Sequence, residues 1–110
     1  MKSATLSPKI EPHEGCVAKA LKILGNKWTA LILLNMADSE QRFCEIERAL
    51  PGISPRTLSQ RLEELVEHEI ITKKAHAEVP PRVEYALTDK GRDFIPVLRQ
   101  MASWGTKYSD

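Results

Sequence analysis

Apolar residues fall at helical spacing along most of this chain and alternate only between positions 70 and 87. Val17, Ala20, Leu21 and Leu24 share one helical face, and Gly25 is placed to end that helix. From Lys27 to Ala37, Trp28, Leu31, Ile32, Leu34 and Met36 leave little polar surface, which predicts a second helix at the centre of the fold. Arg42 to Leu50 is short and amphipathic, with Phe43, Ile46 and Leu50 at i, i+3 and i+7. Pro51-Gly52 stops it, and Ile53 is expected to plug the core from the turn. Ser54 is then a strong N-cap, Pro55 suits the first helical position, and Leu58, Leu62 and Leu65 form the apolar face of the next helix.

Ile70 to His76 reads as a strand, and Val83, Tyr85 and Leu87 alternate with Glu84 and Ala86 in a second one. Residues 77–82 are too polar and proline-rich to continue either strand. Thr88 caps a last helix that runs to about Tyr108 and carries Phe94, Ile95, Val97, Leu98, Met101, Ala102, Trp104 and Tyr108. Pro96 inside it should kink the helix or leave the Arg92 carbonyl unpaired. Residues 1–14, with Pro8 and Pro12 and no apolar period, are expected to form a flexible arm before a single domain over 15–110. The fold class is mainly α with a small β-hairpin, an α+β arrangement. Two helices joined by a short glycine-containing turn make a helix-turn-helix, and the hairpin directly after it makes a wing.

The helix from Ser54 to Val66 carries the candidate chemistry. On a helical wheel Arg56, Gln60 and Glu63 fall opposite the leucine face, with Thr57 and Ser59 on its flanks. Arginine, glutamine, threonine and serine are side chains that hydrogen-bond base edges and phosphates. Arg56 and Arg61 stand in the first half of this helix, and Glu63, Glu64, Glu67 and Glu69 crowd its end. A helix dipole prefers the reverse order, so a polyanion docking at the N-terminal half explains the arginines. A solvated amphipathic helix is the competing reading. Candidate DNA contacts are Ser54, Arg56, Thr57, Ser59, Gln60 and Arg61 on this helix, with Lys73, Lys74 and Arg82 on the wing.

The 110 residues carry 16 lysines and arginines against 15 aspartates and glutamates, so a nucleic-acid site must be a local patch on a chain of net charge +1. No apolar run approaches the ~20 residues of a membrane span. The first residues lack the apolar stretch of a signal peptide, and two cysteines make no disulfide framework. Together these point to a reduced, cytoplasmic protein. His13, His68 and His76 have no metal-ligand spacing, and there is no glycine-rich phosphate loop, so no metal or other cofactor is expected. Trp28 and Trp104 are expected in the core, with the lining of an effector cavity as the alternative. The last helix has more apolar surface than one small domain needs. It either closes the monomer's own core or, the preferred reading, forms a dimer interface with the first helix.

Particular runs resemble a known family. They are Cys16 with Leu21-Lys-Ile-Leu-Gly-Asn-Lys-Trp28, Arg42-Phe43, Leu50-Pro-Gly-Ile-Ser-Pro-Arg-Thr-Leu-Ser-Gln-Arg-Leu62, Val79-Pro-Pro-Arg-Val-Glu-Tyr85, Leu87-Thr-Asp-Lys-Gly91 and Trp104-Gly105. In order and spacing they resemble the HxlR-type bacterial transcription regulators, from Cys16 to Gly105. The resemblance implies a winged helix-turn-helix homodimer whose terminal helix packs across the two-fold axis. Its recognition helix would span Ser54–Glu67 and its wing Lys73–Tyr85. It also implies a redox role for Cys16, because several relatives sense electrophiles or oxidants through a cysteine at that position. Val17 follows here where many relatives carry proline. Cys44 stands where relatives more often have Asn, Gly or Ser, and it is expected to be inert.

Cys16 is expected at the first turn of the first helix, with Lys19 and Lys22 nearby, where both the helix terminus and the cations favour a thiolate. A small buried apolar residue is the alternative. The functional reading is a sequence-specific DNA-binding transcriptional regulator. Its expected partners are double-stranded DNA, a second copy of itself and an electrophile or oxidant effector, with no membrane. The alternatives are a winged-helix interaction module without DNA binding and a regulator sensing a non-covalent small molecule. A thiol enzyme has only Cys16 to stand on and lacks a base, so no enzymatic activity is expected.

Overall fold

A computed structural model describes residues 10–109, with side chains from Cys16 onward. Helices α1 (Ile10–Leu24) and α2 (Lys27–Asn35) are followed by strand β1 (Gln41–Arg42), α3 (Phe43–Ala49) and α4 (Pro55–Glu67). Strands β2 (Ile71–His76) and β3 (Arg82–Leu87) lead to α5 (Asp89–Lys107). Two polar side chains cap helices as the sequence predicts: Ser54 Oγ accepts from the Thr57 amide and Thr88 Oγ1 from Gly91. Asn26 Oδ1 caps α2 by accepting from the amides of Trp28 and Thr29. Gly25, at φ 67°, closes α1, and Gly52, at φ 96°, makes the turn after α3.

The core lies around α2. Ile32, Leu33 and Met36 meet Ile46 of α3, Leu58, Leu62 and Leu65 of α4, Ile71, Tyr85 and Leu87 of the sheet, and Ile95 and Leu98 of α5. Ile53 is buried and plugs the helix-turn-helix corner. The sheet has three antiparallel strands with β3 in the middle. Gln41 pairs with Tyr85 and Arg42 with Glu84, so β1 adds a strand that two residues of sequence were too short to reveal.

Helix α4 ends without glycine. Glu69 takes φ 60°, its amide donates to the Val66 carbonyl, and the Ile70 amide donates to the Leu65 carbonyl at 2.9 Å. These are the two bonds of a Schellman stop, here with a glutamate in the left-handed position. The Thr88 amide donates to the Ile70 carbonyl at 3.0 Å, and the Thr88 hydroxyl donates to the Glu69 carbonyl at 2.6 Å with the Ile70 oxygen 3.0 Å away. Gly91 then lies so close that a Cβ there would come within 2.2 Å of the same oxygen.

Several expectations need correction. Helix α1 begins at Ile10, so the last positions of the arm expected over 1–14 are helical, while residues 1–9 lie outside the described residues. Pro12 falls in the first turn, where a missing N–H breaks no helical hydrogen bond. Cys16 is therefore well inside α1 rather than at its first turn. Trp104 is not a core residue: it is 68% exposed and tilts against Tyr108 with ring centroids 5.2 Å apart. Trp28 is half-buried against the core. Helix α5 continues through Pro96; Arg92 and Pro96 are both exposed, so water can serve the carbonyl that Pro96 leaves without an N–H.

Gly91→Ala should therefore lower stability by about 1–3 kcal/mol or more, because the added carbon meets backbone that cannot rotate away. An unchanged denaturation midpoint would show that α5 can shift without loss.

Candidate nucleic-acid interface

The leucine face of α4 fixes which residues point outward. With Leu58, Leu62 and Leu65 buried, Arg56, Ser59, Gln60 and Glu63 form an exposed strip on the opposite side. Ser54 and Thr57 are committed to the cap: the Ser54 hydroxyl accepts from the Thr57 amide at 3.0 Å and lies 2.9 Å from the Thr57 hydroxyl. Thr57 is half-buried. Arg61 does not join the exposed strip. It is mostly buried on the flank, with Nη1 3.3 Å from Glu64 Oε1 and a buried Nε that has no hydrogen-bond partner among the described residues. No acid occupies the first turn of α4 and no base its last, so the charge order opposes the helix dipole as the sequence indicates.

On the wing, alternation separates the candidates. Lys73 is directly opposite Tyr85, while Lys74 is opposite Glu84 and His76 opposite Arg82. Lys73 therefore shares the sheet face of buried Tyr85, and Lys74, His76, Glu84 and Arg82 share the other. Both lysines are exposed. Arg82 is not free: its Nη2 lies 2.9 Å from Glu78 Oε2, and its Nε is buried without a partner among the described residues. His76 Nε2 lies 2.7 Å from Glu84 Oε1. The sequence could not show these pairs, because they depend on the strand register and on how the loop closes.

Burial raises the Tyr85 phenol above its ordinary value of 10.0, and the negative charge of Glu63 raises it further. Tyr85 thus stays protonated near neutral pH. Cys16 and Cys44 are both exposed. Cys44 borders a cleft with Phe43, Pro80, Pro81 and Arg82. Among the described residues no cluster of His, Cys, Asp and Glu could hold a metal ion, and no helix is long and apolar enough to cross a membrane.

Residues 23–110 match the family model described as HxlR-like helix-turn-helix. The chain belongs to this family. It is 39% identical over 110 residues to the uncharacterised helix-turn-helix-type transcriptional regulator YvaP of Bacillus subtilis strain 168, covering 100% of this chain and 95% of that one. Among solved structures, the redox regulator HypR in its oxidised form superposes with a TM-score of 0.80 at 37% identity, covering 86% of this chain and 97% of the other. Diamide-treated YodB from B. subtilis gives 0.71 at 33% identity, covering 96% and 98%. The winged helix-turn-helix fold and the coarse function, transcription regulation of helix-turn-helix type, follow from this membership. The relatives are named as regulators and not as enzymes.

Proposed function

We propose that this HxlR-family member is a sequence-specific DNA-binding regulator that acts as a homodimer on an inverted repeat. The observation that carries the reading is the exposed strip Arg56–Ser59–Gln60 on the first turns of a capped α4, whose other face is locked by three buried leucines. A recognition helix reads the major groove with its N-terminal residues, and arginine and glutamine suit guanine and adenine respectively. Arg56→Ala or Gln60→Ala should weaken binding to a selected duplex by about 1–3 kcal/mol and relax the preference at particular base pairs. A variant that discriminates bases as sharply as the wild type would remove that side chain from readout.

The dimer reading rests on two exposed apolar sets. Val97, Met101, Trp104 and Tyr108 line α5 at i, i+4, i+7 and i+11, and Val17 and Leu21 are 58% and 57% exposed on α1. A closed two-fold interface is the commonest way to cover such a stripe. It would present two copies of α4 to half-sites about one helical turn apart. Sedimentation at micromolar concentration should give twice the 12.4 kDa chain mass, and Trp104→Asp should shift it to monomer. A wild-type monomer would overturn the assembly.

Cys16 is the proposed sensor. Its thiol is exposed, Lys19 lies one turn on, and Val17 of the apolar set is the next residue. The mid-helix position removes the helix-terminus argument for reactivity but leaves access intact. Addition of the thiolate to a quinone would form a thioether beside that set and disturb half-site spacing. Cys16→Ser should bind DNA but lose the quinone response, while Cys44→Ser keeps both. Wild-type binding that is indifferent to quinones would leave a non-covalent ligand as the effector.

A further inference from the structure

Helix α4 carries its charges in an order that works against its own dipole at both ends. On a helical wheel Gln60, Glu63 and Glu67 fall within about 40° of Arg56, so the four form one outward ridge. All four are exposed. At helical rise Glu63 stands about 10 Å beyond Arg56, and Glu67 about 16 Å beyond it. The other arginine of the helix, Arg61, is mostly buried and held by Glu64, which leaves Arg56 as the more exposed cation of α4. Among the described residues neither Glu63 nor Glu67 forms an ion pair. No base stands in the last turn to offset them. Carboxylates near a helix C-terminus oppose the dipole, so these two acids do not serve the stability of α4.

We infer that Glu63 and Glu67 are specificity-determining residues: they keep the C-terminal half of α4 out of the groove and so suppress binding to unmatched DNA. The inference rests on the DNA-binding reading of α4 and deepens it. The major groove is about 12 Å wide and walled by phosphates, and most of the polar groups that bases offer there are acceptors. A helix lying flat along the groove would press both carboxylates against them. A helix that enters by its first turns, as a recognition helix does, keeps Arg56, Ser59 and Gln60 inside and lifts the acids away. On a matched sequence, hydrogen bonds from Arg56 and Gln60 hold that inclined pose. On an unmatched sequence those bonds are missing, and the attraction of charge that remains accepts flat poses in many registers. The acids oppose each flat pose and leave the inclined one nearly untouched. On a chain of net charge +1, two local charges are enough to tip that balance. Discrimination is a difference of affinities, and a repulsion confined to the wrong complex widens it.

The test compares two duplexes: one selected from a random-sequence pool by the wild-type protein, and a scrambled duplex of the same length and composition. Glu63→Gln combined with Glu67→Gln keeps the size of both side chains and removes both charges. This double variant should bind the scrambled duplex about tenfold more tightly and the selected one no more than about threefold, so the ratio of affinities falls about threefold or more. The salt dependence should steepen by about one unit on the scrambled duplex and hardly at all on the selected one. Asp93→Asn, which removes an exposed charge from α5, should leave both affinities within about twofold. Unfolding midpoints should not fall, and a fall would give the acids a structural role instead. An equal gain on both duplexes would overturn the inference, because the acids would then repel DNA without discriminating. Unchanged affinities would overturn it too, because the far end of the ridge would then have no influence on DNA. A loss on the selected duplex, or a changed selected sequence, would make Glu63 a reader of base amino groups instead. If the wild type selects no sequence from the pool, the DNA-binding reading of α4 fails, and the role of the acids with it.

Discussion

The carbonyl of Ile70 is the point on which the geometry of the molecule depends. The Ile70 amide closes the end of α4 on Leu65, and its carbonyl accepts from the amide of Thr88 at the start of α5; the Thr88 hydroxyl donates to the neighbouring Glu69 carbonyl. Strand β2 leaves from the next residue. Helix α4, the wing and the long terminal helix therefore share one residue, and Gly91 is bare because any side chain would enter that space. Because Leu65, Ile70, Ile71 and Leu87 are buried around this point, the three elements cannot slide independently without opening the core. A shift of α5 is thereby carried to α4 and to the wing by contact.

Charge placement makes sense on that frame. A chain of net charge +1 has no global attraction for a polyanion, so the local arrangement decides. The first two turns of α4 present Arg56, Ser59 and Gln60, and the first turn carries no acid. The acids follow: Glu64 is paired with Arg61, and the charge of Glu63 helps raise the Tyr85 phenol. On the hairpin, Glu78 is paired with Arg82, and Glu84 Oε1 lies 2.7 Å from His76 Nε2. What remains exposed toward a ligand at the N-terminal half of α4 is positive or neutral.

The legible part of this fold was the part governed by local rules. The Ser54 and Thr88 caps, the Gly25 stop, the leucine row of α4 and the alternation of Val83, Tyr85 and Leu87 each depend on residues within a turn or a strand of one another. The start of α1 was misread because Pro12 signals a loop in isolation, although a proline costs nothing in a first turn. Trp104 was assigned to the core by residue type, yet its rotation on α5 places it with Met101 and Tyr108 on the outer side. Strand β1, the left-handed Glu69 and the Glu78–Arg82 pair all depend on register or tertiary closure, which no periodicity encodes. For the site, this meant that the exposed strip of α4 could be read directly, whereas the commitments of Arg61 and Arg82 could not.

The position of Cys16 changes how the proposed switch would have to work. At a helix start, modification would act through the helix terminus; in mid-helix it acts through bulk. Cys16 is exposed next to Val17, four residues before Ala20 and five before Leu21, so an adduct there crowds the edge of the apolar set rather than its centre. Fully burying one valine-sized side chain is worth about 1.5–3 kcal/mol. Displacing a fraction of such a contact in each subunit therefore reaches the ~1–3 kcal/mol that separates 5-fold from 150-fold changes in affinity. In the proposed dimer unfolding would not be required, because each α4 is tied to its own α5 through Ile70. A small change in how α1 and α5 seat against the proposed partner copy would alter the half-site spacing that both copies of α4 would have to match.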